Sequence, residues 1–194
     1  MTDGIVFLAY GPKAEQEYHY AMDALKVSGN DRYPSQRFGG DYAAANKQAS
    51  RHGKTQILEW SGYDRTLYMD ADTRARESLK PIFDILTDGW DIVMSVDGNQ
   101  DQSVFWHVDG EEREATLQEL GLVPLQLQCG VMGIARNERT AALFKEWCNE
   151  WRRYSGEDQA AFVRALYKCP VKIWLMGKPW NGGAAISHNW GAMR

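Results

Sequence analysis

Two aspartates, Asp70 and Asp72, stand one residue apart in Leu67-Tyr68-Met69-Asp70-Ala71-Asp72-Thr73, at the end of a short apolar run. Side chains two positions apart in extended backbone point the same way, so both carboxylates can converge on one hard cation. A cation held there can bridge diphosphate oxygens and neutralise the charge that develops as a nucleoside diphosphate leaves. The pair alone also fits a solvated strand end or a helix N-terminus, where carboxylates meet exposed N–H groups. The aspartate-nucleophile phosphatase pattern is discounted: it wants threonine two places after the second aspartate, and Arg74 stands there.

Placing such a pair at a strand end needs a sheet. Ile5-Val6-Phe7-Leu8-Ala9-Tyr10, closed by Gly11-Pro12, has the pattern of a strand buried on both faces and followed by a turn. Helical patterning follows from Ala14 to Leu25, and Ser28 to Gly40, with Pro34 and three glycines, reads as loop. A helix is expected over Asp41 to Trp60, with a break plausible at Gly53, then a strand from Arg65 to Met69 that delivers Asp70. Leu79 to Leu86 predicts a helix, Asp91 to Val96 a buried strand, and Val104 to Val108, closed by Asp109-Gly110, the start of a hairpin. Further on come a helix over Glu112 to Leu120 and a strand over Gln126 to Ala135. Leu143, Phe144, Trp147 and Trp151 share one face of a helix capped by Asn137. Ala160 to Tyr167 and Val171 to Met176 read as a last helix and strand. Alternating strands and helices predict an α/β fold with a mostly parallel sheet, in one domain over residues 1–194.

With 22 Lys and Arg against 26 Asp and Glu, the net charge of -4 gives no bulk attraction to nucleic acid or an anionic membrane. Cys129, Cys148 and Cys169 fit neither a zinc motif nor a paired disulfide framework, so reduced, mostly buried thiols are expected. No apolar run is long enough for a signal peptide or membrane span, and the chain reads as cytoplasmic.

Lys54 through Thr73, containing the Asp70-Ala71-Asp72 motif, resembles the DxD region of GT-A nucleotide-diphospho-sugar transferases, glycosyltransferase family 8 above all. Further segments match in the same order. The resemblance implies a GT-A, Rossmann-like domain binding a nucleotide-sugar, UDP-glucose or UDP-galactose by family habit. It places Ala9 and Tyr10 at the nucleotide base, Arg51 and Lys54 near the donor phosphates or sugar, and Asp70 and Ala71 against the donor. Gln128-Cys129-Gly130 resembles the family's Asn-x-Gly segment, with glutamine for asparagine, facing the donor sugar. Asp158-Gln159 resembles the pair that in retaining members lies beneath the anomeric carbon, implying an acceptor or base role for Asp158 and sugar-cation stabilisation by Gln159. Ser155-x-x-Asp158 equally reads as a capping box opening a helix. His188-Asn-Trp-Gly-Ala-Met-Arg194 fits the closing His-x-x-Gly-x-x-Lys motif, with arginine in the lysine place.

On this resemblance His188 joins Asp70 and Asp72 around Mn2+ or Mg2+, and Arg194 holds the diphosphate through its planar fork. The expected activity is metal-dependent hexosyl transfer to an acceptor hydroxyl, with retention implied by family 8. Glu157-Asp158 also resembles the acidic pair of inverting GT-A enzymes, and stereochemistry stays open. The acceptor is open among glycan, lipid, protein and modified nucleobase. Little of the chain is left for an acceptor domain, so loops or a second chain, a homo-oligomer included, would hold it. A binding module on the same scaffold and a metal-dependent nucleotidyltransferase are the rival readings. The latter would want a glycine-rich basic loop after the first strand, and Gly11-Pro12-Lys13-Ala14-Glu15 is a poor phosphate cradle.

Overall fold

Ile5 to Ala9 are shielded from solvent because they form the middle of β1 (Asp3–Tyr10), flanked by a strand on each side and covered on both faces. The computed structural model describes residues 1–40, 47–97, 107–121 and 125–190. In chain order β1 is followed by α1 (Pro12–Val27), β2 (Ser35–Gly40), α2 (Lys47–Trp60), β3 (Arg65–Asp70), β4 (Thr73–Ala75) and α3 (Lys80–Thr87). Then come β5 (Ile92–Val96), α4 (Gly110–Leu120), β6 (Leu127–Ala135), α5 (Glu138–Tyr154), α6 (Asp158–Lys168), β7 (Ile173–Met176), a 3-10 turn at Lys178–Trp180 and β8 (Ile186–His188).

The main sheet runs β2-β1-β3-β6-β5-β7. β1 is parallel to β2 and β3, and β5 to β7, while β6 runs against both its neighbours. Strand alternation sorts the core into two layers. Val6, Leu8, Tyr68, Met94 and Met132 meet residues of α2, α5 and α6 on one face, while Ile5, Phe7, Leu67, Met69 and Val131 meet residues of α1 and α3 on the other. The α/β architecture with a mostly parallel sheet is as the sequence predicts. Leu143, Phe144, Trp147 and Trp151 are all buried, and Asn137 caps α5 by accepting from Thr140 N at 3.0 Å. All three cysteines are free, and among the described residues no helix is long and apolar enough to cross a membrane.

Several expectations are corrected. Ser35–Gly40 is a strand, not loop: an edge strand paired, among the described residues, only with β1, it carries a single large apolar residue, Phe38, and so shows no hydrophobic alternation. Gly53 does not break α2; the start expected at Asp41 lies outside the described residues. Asp109-Gly110 is not a hairpin turn, since the Asp109 carboxylate accepts from Glu111 N and opens α4. Ser155 does not open α6. It ends α5 with φ 52°, and Glu157 precedes α6.

Candidate metal centre and active site

Asp70 is the last residue of β3, Ala71 and Asp72 form a turn, and the chain leaves along β4. This turn, not extended backbone, brings the two carboxylates together. β4 pairs antiparallel with β8, placing Thr73 opposite His188, so a two-stranded ribbon carries the imidazole to the aspartates. Ligand atoms of Asp70, Asp72 and His188 lie within 4.8 Å of one another, the one such group of three among the described residues.

His188 Nδ1 lies 2.8 Å from Asn181 Oδ1, and the imidazole stacks on Trp190 with ring centroids 3.4 Å apart. An amide oxygen only accepts, so this contact puts a proton on Nδ1 and turns Nε2 toward Asp72 Oδ1, 3.0 Å away, where a ring bare at Nε2 offers a metal a lone pair. Asp72 Oδ1 is buried and accepts no hydrogen bond. Opposite, a Cβ built on Gly130 would stand 2.6 Å from His188 Cε1 and 2.8 Å from Asp70 Oδ2, so only glycine leaves this hollow open. Two carboxylate groups and an imidazole nitrogen around one hollow are a donor set that suits Mn2+ or Mg2+.

Behind the aspartates lies a buried cation. Lys54 Nζ sits 2.8 Å from Asp158 Oδ2 and 3.2 Å from Asp70 Oδ1. Burial works to lower its pKa, but Asp158 and Asp70 outweigh it and hold the ammonium well above the ordinary lysine value. Burial likewise works to raise Asp158, yet Lys54 and then Arg51 keep its carboxyl below the usual range. Asp70 goes the other way, pushed up by burial against the pull of Lys54 and His188. Tyr68 donates its hydroxyl to Asp70 Oδ1 from the same strand.

Gln159 Nε2 donates to Gln128 Oε1 at 3.2 Å and to Asp97 Oδ2 at 3.3 Å, and Gln128 Nε2 reaches that same oxygen at 3.3 Å. Gln159 Oε1 is buried without a hydrogen bond. Asp97, one residue beyond β5, was not singled out from sequence, although a carboxylate closing a buried strand is the same signal that marks Asp70. Arg51 pairs with Glu157 and donates to Gly156 O at 3.3 Å, so it is engaged with the start of α6. Ala9 and Tyr10 lie past Leu8–Asp70, the last β1–β3 pair, where the sheet edge opens, and Tyr10 leans over Gly53 of α2. Ala71 is buried in the turn. Thus Tyr10, Asp70, Ala71, Asp72, Asp97, Gln128, Gly130, Lys54, Asp158, Gln159 and His188 gather at one end of the sheet; Arg194 lies outside the described residues. That end is the carboxyl end of the parallel strands, where open α/β sheets bind ligands.

No family model and no curated protein matches the sequence. Solved structures do match. WbbM, a bifunctional glycosyltransferase, superposes with TM-score 0.73 at 13% identity over 93% of this chain and 39% of WbbM, so the chain spans well under half of that protein. An active-site variant of LgtC gives TM-score 0.67 at 17% identity over 100% of this chain and 93% of LgtC. The galactosyltransferase LgtC in complex with donor and acceptor sugar analogues gives 0.61 at 19% identity, covering 93% and 75%. At such identities the likeness speaks for the fold: this chain has the GT-A fold of glycosyltransferases, resembling family 8.

Proposed function

We propose that the chain is a metal-dependent glycosyltransferase that moves a hexose from a nucleotide-diphosphate sugar, UDP-glucose or UDP-galactose, to an acceptor hydroxyl with retention of configuration. The observation that carries this reading is the Asp70, Asp72 and His188 cluster, its ligand atoms within 4.8 Å of one another at the open end of a GT-A sheet. These three residues would hold Mn2+ or Mg2+, and the ion when bound would supply Lewis-acid neutralisation of the charge on a departing diphosphate.

The remaining residues supply binding and orientation. Tyr10 and the backbone at Ala9 receive the base where β1 outruns β3. Arg194 takes the diphosphate on the strength of its place in the closing motif. Gln128 faces the donor sugar, and Gln159, with its buried oxygen unpaired, faces the positive charge that develops at the anomeric carbon. Asp158, kept ionised by Lys54, stands ready to orient the acceptor hydroxyl. Lys54 also holds Asp70 in place between nucleophile side and metal side.

A nucleotidyltransferase is disfavoured because α1 opens with Pro12, which removes one of the N–H donors a phosphate cradle would use. Calorimetric titration of UDP, UDP-glucose and UDP-galactose with Mn2+ and with chelator, followed by product analysis with glycan, lipid, protein and nucleobase acceptors, tests the reading. Manganese-dependent donor binding and release of nucleoside diphosphate are expected. Pyrophosphate release indicates nucleotidyl transfer, and donor binding without turnover on any acceptor indicates a binding module; either overturns the reading.

A further inference from the structure

The turn that carries the two aspartates is held from outside the site by a residue that touches neither. Arg74 Nη1 donates to Ala71 O at 2.9 Å and to Thr73 O at 2.8 Å, while its Nη2 pairs with the Glu17 carboxylate of α1. The guanidinium also lies over the Tyr20 ring, 5.6 Å from its centroid. Arg74 and Glu17 are both largely shielded, so the pair works in a medium that strengthens it. The other carbonyls of the turn are held too: Asp70 O accepts from Thr73 Oγ1 at 2.7 Å, and Asp72 O from Asn189 N at 2.9 Å. Among the described residues, Arg74 is thus the one side chain from outside the Asp70–Thr73 turn that ties its carbonyls to a neighbouring helix.

We propose that Arg74, anchored by Glu17, is a positioning residue that sets metal affinity by fixing the backbone between Asp70 and Asp72. This rests on the metal site proposed above. A cation needs both carboxylates and the imidazole at once, and a turn free to rotate at Ala71 splays Asp72 away from His188. The planar fork suits the task, since one guanidinium reaches two carbonyls and a carboxylate in fixed directions, whereas an ammonium is a point charge without a fixed fork. Glu17 links the turn to α1, which begins at Pro12, with only Gly11 between it and Tyr10, so one helix braces both the base end and the metal end of the site.

The test is titration of Mn2+ alone into the apo chain, followed by the electron paramagnetic resonance signal of free Mn2+, with melting temperature recorded in chelator and in Mn2+. Arg74→Ala should weaken Mn2+ binding about tenfold, as loss of an outer-shell partner does. Arg74→Lys should recover only part, Glu17→Gln should weaken binding less than Arg74→Ala, and the double variant should be no worse than Arg74→Ala. A merely structural role would lower the melting temperature in chelator and leave the Mn2+ constant alone. Should Arg74→Ala not fold, Arg74→Gln and Glu17→Gln carry the same test. Wild-type affinity in the Arg74 variants, with loss in Asp72→Asn, overturns the positioning role and leaves the metal site standing. No Mn2+ uptake by the wild type removes the metal site and this inference with it.

Discussion

Asn181 Oδ1 stands 2.8 Å from His188 Nδ1 and thereby decides which imidazole nitrogen meets the two aspartates. The contact comes from the turn ahead of β8, and Asn181 itself is buried. Removing it frees the ring to rotate and lets the proton move to Nε2, where a metal ligand needs a lone pair. Asn181→Ala should therefore weaken Mn2+ binding about 10- to 100-fold with the fold retained. Asn181→Asp, which keeps an acceptor there, should bind Mn2+ far better than the alanine variant. Calorimetry on the three proteins checks this; equal constants in all three would exclude a role for Asn181 in orienting the ring.

Gly130 offers a steric test of the same hollow. Its added Cβ would lie 2.6 Å from His188 Cε1 and 2.8 Å from Asp70 Oδ2, and neither neighbour has a flexible tip with which to yield. Gly130→Ala should cost about 1 to 3 kcal/mol, the usual range for overpacking, and should weaken Mn2+ binding at least as much as Asn181→Ala. Melting curves with and without Mn2+ give both quantities. A variant that keeps full Mn2+ affinity would place the cation elsewhere.

What sequence makes visible here is what repeats or what concentrates chemistry. Strands such as Ile5 to Ala9 show because burial on both faces demands an apolar run, and Asp70, Asp72, Lys54, Asp158 and His188 show because their motifs occur in a fixed order. β4 and β8 do not show: three residues carry no period, and their pairing joins Thr73 to His188 across most of the chain. The same holds for Asn181 and Arg74, ordinary polar residues until folding sets them against His188 and the Ala71 carbonyl. Asp97 belongs between these cases, because the strand before it was read and its carboxylate was not. The capping-box reading of Asp158 holds only in part: Asp158 opens α6, but Lys54, not Ser155, is its partner.

Lys54 is the cation between two buried carboxylates, 3.2 Å from Asp70 and 2.8 Å from Asp158. Lys54→Met removes that charge and keeps the stem, leaving Asp70 and Asp158 without it. Breaking a buried pair in this way costs about 3 to 5 kcal/mol. Because Mn2+ would neutralise Asp70 in the variant, the melting temperature should rise more on adding Mn2+ than it does in the wild type. Thermal scans in chelator and in Mn2+ read the difference. An unchanged melting temperature in chelator would mean that the lysine is not the counter-ion its distances indicate.

Acid should loosen the α4, α5 and α6 side of the molecule, and Glu150 sets the direction. Its carboxylate receives Arg164 Nε at 2.8 Å, Arg153 Nη1 at 2.7 Å and Lys168 Nζ. Burial works to raise its pKa, but the hydrogen bonds from Lys168, Arg164 and Arg153 outweigh it and lower the value from 4.5 to about 2. A carboxyl depressed in the folded state contributes stability that is full above its unfolded value and disappears as pH falls through the folded one. The loss should therefore run from about pH 4.5 down to about 2. Glu112, in the same network, is pushed up by burial against Arg164, so its contribution has the opposite sign and partly offsets the slope. Glu150→Gln should melt lower than the wild type at pH 7, because the fully buried Arg164 loses a counter-ion, and should lose less further stability on acidification. Calorimetric scans from neutral pH downward decide it: the two melting curves should converge as pH falls, and a constant gap would show that Glu150 does not carry the acid sensitivity.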